Sequence, residues 1–204
     1  MILKNFLALD LEMNTPEQSD TPGKIIQVGI AIGNLNQYIN DPKNYQQYIE
    51  KSWYVNPHEK IYPRITELTG ISDEETINQS TTLEDIQNEI FLLMKQYECY
   101  PNPIVWGGGD AEILKKELRE NVGYLKIFGH REIDLKTIYT FFKLSKDEKT
   151  NSSLKSTLIN YKLDFLGTQH RAVDDARNTL RLFFAMIQKQ KIINNIINEA
   201  NKIK

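Results

Sequence analysis

The chain has 204 residues, of which 40% are hydrophobic and 25% are charged, and these values favour one compact domain with a buried core over a disordered, fibrous or two-domain protein. The formal net charge of -2 provides no global positive field, so any polyanionic partner must be held by a local site. The single cysteine, Cys99, excludes an internal disulfide and a thiolate zinc cluster, and it fits a reducing compartment.

Three strands are predicted in the first part of the chain. The stretches FLALDLEM and GKIIQVGIAIG have apolar runs of strand length, joined by the loop NTPEQSDTP, and QQYIEKSWYVNP completes an antiparallel meander. The apolar run at the start is broken by Asp10 and Glu12, which predicts neither a secretion signal nor a membrane span. We therefore expect a cytoplasmic protein with no membrane partner.

Helices alternate with short strands in the rest of the chain. A short helix is predicted in EKIYPRITELTGISDEE, ending at Gly70, and a longer helix with a threonine cap in TTLEDIQNEIFLLMKQY. A short strand at Ile104 to Trp106 leads through glycines into a helix from about Asp110. Another short strand and a helix are predicted in REIDLKTIYTFFKL, and a further helix is predicted in SSLKSTLINYKL. From Ala172 the chain is predicted to be helical for at least four turns. This order predicts an α/β fold with a mixed sheet covered by helices.

Two acidic residues lie in the first predicted strand. Asp10 and Glu12 are two residues apart, so their side chains leave the same face of the strand. The preceding residues, Phe6 to Leu9, are apolar, which predicts a buried strand where like charges repel unless a cation compensates them. Carboxylate oxygens are ligands for hard divalent cations such as Mg2+. An edge strand with a solvated acidic face is the other interpretation, and these two residues alone leave both open.

A third acidic residue follows three glycines. Asp110 comes directly after VWGGG and opens a predicted helix, where an acid commonly caps the helix. Three consecutive glycines also remove side chains where a strand meets a helix, which permits a ligand to approach the backbone closely. Asp110 is therefore either a capping residue or a ligand.

The stretch HRAVDDARNT places a histidine before two adjacent aspartates. At about 100° per residue, Asp174 shares its side of the predicted helix with two arginines, which predicts a solvated acid in salt bridges. Asp175 falls on the other, semi-apolar flank and is the better candidate for an inward, functional carboxylate. His170 lies in the loop before the helix, from which it can reach a substrate and titrate near neutrality.

The order of these residues resembles that of the DEDDh family of 3'-to-5' exonucleases, the type of RNase T and the DNA polymerase III epsilon subunit. The matching residues are Asp10, Glu12, Asp110, His170 and Asp175. IIQVGIAIG resembles the second strand of that family, ITELTGIS the segment after its third strand, and HRAVDDARNT its third exonuclease motif. The resemblance is greatest for the branch with the Eri-1 and KapD-like nucleases, which tend to act on RNA.

The resemblance extends over nearly the whole chain, to about Ile187, and it carries implications for the fold. It implies a ribonuclease H-like fold, an α/β architecture with a mixed five-stranded sheet flanked by helices. We expect residues 1–188 to form the exonuclease domain. Residues 189–204 are then a C-terminal helical tail of the same domain.

The resemblance also implies a two-metal-ion mechanism. In that mechanism Asp10 bridges two Mg2+ ions, for which Mn2+ is expected to substitute. Glu12 and Asp175 complete one metal site, and Asp110 holds the second ion through water. His170 takes a proton from the attacking water. The expected substrate is single-stranded RNA or a short oligonucleotide with a free 3' end, which is hydrolysed to nucleoside 5'-monophosphates.

Three apolar residues are candidates for gripping the terminal base. Leu11, Met13 and Phe165 lie near the predicted site, and stacking or wedging of an unpaired base requires apolar side chains there. Core packing is the alternative for each of them. Asp134 matches an aspartate that is common in the family and usually structural, so it is placed outside the site.

Departures from the family pattern affect the substrate grip rather than the metal ligands. Met13 and Asn14 stand where many members have threonines, and Gly109 replaces the usual aromatic residue. Three other functions remain as alternatives: a 3'-to-5' exodeoxyribonuclease, free-standing or proofreading; a catalytically silent module that binds nucleic acid; and a carboxylate Ca2+ module, against which the absence of a spaced calcium loop argues. The isoleucine-rich C-terminal stretch is the one hint of self-association, and the oligomeric state stays open.

Overall fold

The computed structural model describes residues 4–17 and 22–202, and its strands form one mixed five-stranded sheet. The strands are β1 (Asn5–Asn14), β2 (Lys24–Asn34), β3 (Ile49–Tyr54), β4 (Ile104–Val105) and β5 (Ile133–Asp134). Their order across the sheet is β3-β2-β1-β4-β5, with antiparallel pairing of the first three and parallel pairing of β1 with β4 and β4 with β5. The predicted meander and mixed sheet are confirmed. The predicted loop between β1 and β2 falls partly on residues 18–21, outside the described part of the chain.

Eight helices occur in the described residues and cover both faces of the sheet. They are α1 (Leu35–Asn40), α2 (Pro63–Thr69), α3 (Asp73–Asn78), α4 (Leu83–Gln96), α5 (Asp110–Asn121), α6 (Leu135–Leu144), α7 (Leu154–Asn160) and α8 (Ala172–Lys202). Two predicted helix boundaries are confirmed. Gly70 is the C-cap of α2, with φ of 68°, and Thr82 is the N-cap of α4. The sequence analysis did not predict α1 and α3, each of which has six residues.

The two faces of β1 pack into two different cores. Leu7, Leu9 and Leu11 belong to a core that α4 and α5 cover, whereas Phe6 and Ala8 belong to a second core shared with α8. Side chains alternate along a strand, so Asp10 and Glu12 continue the series of Phe6 and Ala8. They consequently lie on the α8 side of the sheet.

The long helix α8 has a packed half and an exposed half. It runs for 31 residues, and its buried side chains extend from Ala172 to Met186. Every residue from 189 to 202 is exposed, including four isoleucines. Within the described ranges, no helix is long and apolar enough to cross a membrane.

Candidate active site

The first two candidate ligands extend from β1 next to polar and glycine positions of β2. Glu12 is 9% exposed and Asp10 is half-buried. In the antiparallel register, Asp10 lies opposite Gly29 and Glu12 opposite Gln27. The two carboxylates therefore lie on one face of a central strand, beside the region where α8 begins.

Residues of β2 hold the start of α8 against the sheet. The Gln27 Oε1 atom accepts a hydrogen bond of 3.0 Å from the backbone N–H of Ala172, the first residue of α8. Gly29 permits close approach, because a Cβ atom there would lie 2.1 Å from the carbonyl carbon of Ala172. The start of α8 is thus fixed directly over the strand position opposite Asp10.

This docking brings His170 and Asp175 to the carboxylates of β1. The backbone N–H of His170 donates to Asp175 Oδ2 at 2.7 Å, and His170 takes the left-handed φ of 62°. One ligand atom each of Glu12, His170 and Asp175 lies within 4.8 Å of the others. His170 is exposed, so a solvent water molecule or a substrate can reach its ring.

The Asp110 carboxylate joins the cluster from the N-terminus of α5. It is the first residue of that helix, directly after three glycines that all have positive φ. Glu132 and Asp134, at the start of β5, lie close enough that their negative charges raise the pKa of Asp110.

Burial and mutual repulsion raise the pKa of all four carboxyl groups. Burial, followed by the charges of Asp175 and Asp110, raises the pKa of Glu12 to about 8. Burial raises the pKa of Asp110 to about 7 and that of Asp175 to about 6. The pKa of Asp10 is raised well above its usual range, first by burial and then by the charges of Asp110, Asp175 and Glu12. Asp10, Glu12, Asp110 and Asp175 are therefore close enough for their negative charges to repel one another.

Arg171 is the basic side chain that lowers the pKa of Glu12, and its guanidinium contacts other groups. The positive charge of Arg171 lowers the pKa of Glu12, but less than burial and the two aspartates raise it. Its guanidinium donates to Tyr54 Oη and to the carbonyl of Gly70, both at 3.0 Å, and lies 3.9 Å from Glu75. A set of hard oxygen donors with uncompensated charge fits a divalent metal ion.

The structure also places the remaining candidate residues. Leu11 is 7% exposed in the core under α4 and α5, Met13 packs against the same core, and Phe165 packs against the core under α8. Their contact with a substrate base stays a prediction. Asp134 has the structural role that was predicted, since its carboxylate accepts from Lys136 N at the start of α6 and from Gly107 N.

The prediction for Asp174 is half correct. It forms the expected ion pair with Arg177, at 2.6 Å. It is not a solvated acid, however, because its side chain is only 16% exposed. The loop before α8 covers it, and its Oδ2 atom accepts a hydrogen bond from the backbone N–H of Thr168.

Sequence reasoning missed the residues that hold the site together. Gln27 was visible as the one strongly polar side chain within the apolar run of β2. Glu132 gave no comparable pattern, because its partners lie 21 and 23 residues earlier in the chain. Arg171 follows the histidine of the motif, and its partner Tyr54 is 117 residues away.

A family model for the RNase T exonucleases matches residues 7–183, a span that contains all five candidate residues. The match, the fold and the carboxylate cluster together define an exonuclease. The chain belongs to the RNase T exonuclease family. Enzymes of this family depend on divalent metal ions, which agrees with the donor set described above. No curated protein sequence matches the chain significantly.

Solved structures show the same fold at low sequence identity. The nuclease domain of 3'hExo, a DEDDh family member bound to rAMP, has a TM-score of 0.75 at 18% identity, covering 92% of this chain and 94% of that one. A 3'-exonuclease that recognises the 3' end of a histone mRNA stem-loop has a TM-score of 0.74 at 16% identity, covering 93% and 84%. Cell-death related nuclease 4 has a TM-score of 0.71 at 20% identity, covering 92% and 64%. The sheet and its flanking helices are thus a ribonuclease H-like fold.

Proposed function

We propose that the protein hydrolyses single-stranded RNA or short oligonucleotides from the 3' end and releases nucleoside 5'-monophosphates. One observation carries the proposal: four carboxyl groups with raised pKa and one exposed histidine converge where β1, α5 and α8 meet. Exonucleases of this type cleave phosphodiester bonds at such a cluster. In this proposal residues 1–188 are the exonuclease domain and residues 189–204 its C-terminal tail.

The donor set supports two Mg2+ ions, with Mn2+ as a substitute. Asp10 would contact both ions, Glu12 and Asp175 would complete one site, and Asp110 would hold the second ion through water. The ions would offset the repulsion among the carboxylates and stabilise the negative charge that develops on the scissile phosphate. Because ligands must be deprotonated, the raised pKa values predict that metal binding releases protons.

The chain itself supplies the base and its orientation. In the proposed step His170 would accept a proton from water as the water oxygen bonds to phosphorus and the bond from phosphorus to the 3' oxygen breaks. The 3' oxygen then takes a proton and leaves as the new 3' hydroxyl of the shortened strand. The hydrogen bond from the His170 backbone to Asp175 keeps the base beside the candidate metal ligands.

Two arguments support RNA as the substrate. HRAVDDARNT and the stretch from Trp106 to Leu114 resemble the branch with the Eri-1 and KapD-like nucleases, which tend to act on RNA. In addition, two structural neighbours are described with rAMP and with a histone mRNA stem-loop. A free 3'-to-5' exodeoxyribonuclease has the same site chemistry and differs only in contacts to the 2'-hydroxyl. The expected location in the cytoplasm is part of the same proposal.

Digestion of labelled oligonucleotides tests the proposal. Matched single-stranded RNA and DNA, labelled at the 5' or the 3' end, are incubated with Mg2+, with Mn2+ and with EDTA. Stepwise shortening from the 3' end is expected, with loss of activity in EDTA and faster turnover of RNA. His170→Ala and Asp175→Asn are expected to lower kcat/KM at least about 100-fold.

Two matched variants serve as controls. Asp174→Asn changes the neighbouring aspartate, which pairs with Arg177, and His130→Ala changes an exposed histidine outside the site. Both are expected to retain activity within a few-fold of the unmodified protein. Faster turnover of DNA would favour the exodeoxyribonuclease, and binding of metal and oligonucleotide without cleavage would favour a silent binding module.

A further inference from the structure

The helix that carries Asp110 begins without a capping side chain of its own. Gly107, Gly108 and Gly109 have φ values of 103°, 78° and 101°, which L side chains rarely adopt. Gly109 is the N-cap residue and offers no side chain to the first backbone N–H groups of α5. Those groups have no partners within the helix and need acceptors from elsewhere. The local sequence therefore leaves the backbone around Asp110 unfixed.

Glu132, the residue directly before β5, supplies acceptors for two of the backbone N–H groups at this turn. The Oε1 atom of Glu132 accepts a hydrogen bond from Gly109 N, and its Oε2 atom accepts one of 3.2 Å from Ala111 N. These two N–H groups lie on either side of Asp110 in the chain. In the parallel pairing of β4 with β5, Ile104 lies opposite Ile133, and the Glu132 side chain extends from the residue before β5 to the glycine turn that follows β4.

We propose that Glu132 is a positioning residue for Asp110. Its carboxylate spans the two amides that flank Asp110 and so sets the direction in which the Asp110 carboxylate faces Asp10. Both Glu132 oxygens are engaged by backbone amides, so Glu132 acts through Asp110 rather than on the metal. The inference rests on the proposed function, because it concerns the part of the metal site that Asp110 supplies.

The chemistry of the two amides explains why a carboxylate is needed. The two N–H donors contact different oxygens of Glu132, and a carboxamide has an NH2 group in place of one of those oxygens. A glutamine at position 132 would accept one bond and turn its NH2 group towards the other N–H. The negative charge of Glu132 is stabilised at the N-terminus of α5, although it also raises the pKa of the neighbouring Asp110.

Binding of Mn2+ to the protein without nucleic acid tests the role directly. Calorimetric titrations compare the unmodified protein with Glu132→Gln, Asp110→Asn and a control, Glu112→Gln. Glu112 is on the same helix but 64% exposed, and it pairs with Lys115 and Arg119, so its change removes the same charge without touching the amides. Glu132→Gln is expected to weaken Mn2+ binding about 10-fold or more. Asp110→Asn is expected to weaken Mn2+ binding as well, whereas Glu112→Gln is expected to keep the Mn2+ affinity of the unmodified protein.

Kinetics on a labelled oligonucleotide provides a second readout. For Glu132→Gln the Mg2+ concentration that gives half-maximal rate is expected to rise about 10-fold, with KM for the oligonucleotide nearly unchanged. Excess Mg2+ is expected to restore most of kcat, which a residue with a purely structural role would not show. If Glu132→Gln does not fold, Mn2+ binding and the Mg2+ dependence of the rate are measured on Glu132→Asp instead. This variant keeps two acceptor oxygens on a shorter side chain.

The outcomes separate this inference from the proposed function. A folded Glu132→Gln protein could have lower thermal stability but unchanged Mn2+ binding and an unchanged Mg2+ dependence of the rate. That result would overturn the positioning role of Glu132 and leave the proposed exonuclease function intact. Metal binding by the unmodified protein without any cleavage would overturn the proposed function, and the Mn2+ titrations would still decide the role of Glu132. Absence of metal binding in the unmodified protein would overturn both.

Discussion

The Glu12 carboxyl group is buried beside other carboxyl groups, and at neutral pH its charged form is unfavourable. Burial and the charges of Asp175 and Asp110 raise its pKa to about 8, above the ordinary 4.5. A folded state that holds a proton more tightly than the unfolded state is stabilised by acid. In the metal-free protein, protonation of Glu12 thus contributes to the free energy of unfolding. This contribution is greatest below pH 4.5, decreases as pH rises, and is lost above about pH 8.

Thermal melting of the metal-free protein tests this dependence. Between pH 5 and pH 8.5 in EDTA, the Tm is expected to fall by several degrees, since each kcal/mol corresponds to about 2–4 °C in a chain of this size. Groups with lowered pKa, such as Glu75, titrate below this window and do not obscure it. Mg2+ should raise the Tm more at pH 8.5 than at pH 5, because it binds the deprotonated ligands.

The Glu12→Gln variant provides the control for the melting experiment. It removes one of the titrating groups and is expected to flatten the decrease of Tm with pH. A metal-free Tm that is constant or rises over the same window would contradict the assigned pKa shifts. In that case the four carboxyl groups would be better solvated than their burial indicates.

At the residue scale, the sequence was sufficient to select the candidate ligands but not the residues that support them. The spacing of Asp10 and Glu12 on one strand face, and the position of Asp175 on the inner flank of α8, follow from local geometry alone. The supports are long-range: Gln27 binds the backbone of Ala172 at a separation of 145 residues. No periodicity encodes such a contact, because it exists only after the sheet and the helix have packed.

Among the elements, two short helices were missed for different reasons. Helix α3 begins with a capping box, in which Ser72 and Glu75 satisfy each other's backbone N–H groups, and this pattern was legible in the sequence. Helix α1 has Asn34 as its cap but only six residues of mixed character. Its buried residues Leu35 and Tyr38 belong to the core under α8, so tertiary packing rather than propensity stabilises it.

The position of α8 relative to β2 depends on one glycine. In Gly29→Ala the new Cβ would lie 2.1 Å from the backbone of Ala172, so the start of α8 must move away from the sheet. We expect a loss of about 1–3 kcal/mol in the free energy of unfolding. We also expect a larger loss of kcat than of stability, because Asp175 and His170 move away from Asp10. Chemical denaturation and oligonucleotide digestion measure the two effects.

Another glycine of the same strand gives the matched control for that variant. In Gly33→Ala the closest contact would be the hydroxyl group at the end of the Tyr45 side chain, which can swing aside. Gly33 pairs with Phe6, at the end of β1 away from the carboxylates. Gly33→Ala should therefore keep the unmodified kcat, and a Gly29→Ala protein with normal kcat would show that the close contact does not set the site geometry.

For the whole molecule, the composition excluded more than it identified. The net charge of -2 and the cluster of four carboxylates make the site repulsive to a polyanion until metal ions are bound. In the proposed function, catalysis and substrate binding would consequently be coupled through the metal, without a basic surface overall. The order of strands and helices predicted the fold class, whereas the exposure of the second half of α8 could only be seen once the core was defined.

The exposed half of α8 is expected to be dispensable for catalysis. Residues 189–202 are all exposed, and among the contacts that leave with them is that of Lys189 Nζ over the Tyr161 ring, at 4.9 Å. A chain ending at Gln188 should keep its kcat and lose about 0.5–1 kcal/mol of stability. By contrast Phe184→Ala, at a fully buried position of the same helix, should lose about 3–5 kcal/mol. Failure of the shortened chain to fold, or loss of its activity, would instead indicate that residues 189–202 have a partner that stabilises the catalytic domain. Size-exclusion chromatography of the full chain would then show whether that partner is a second copy.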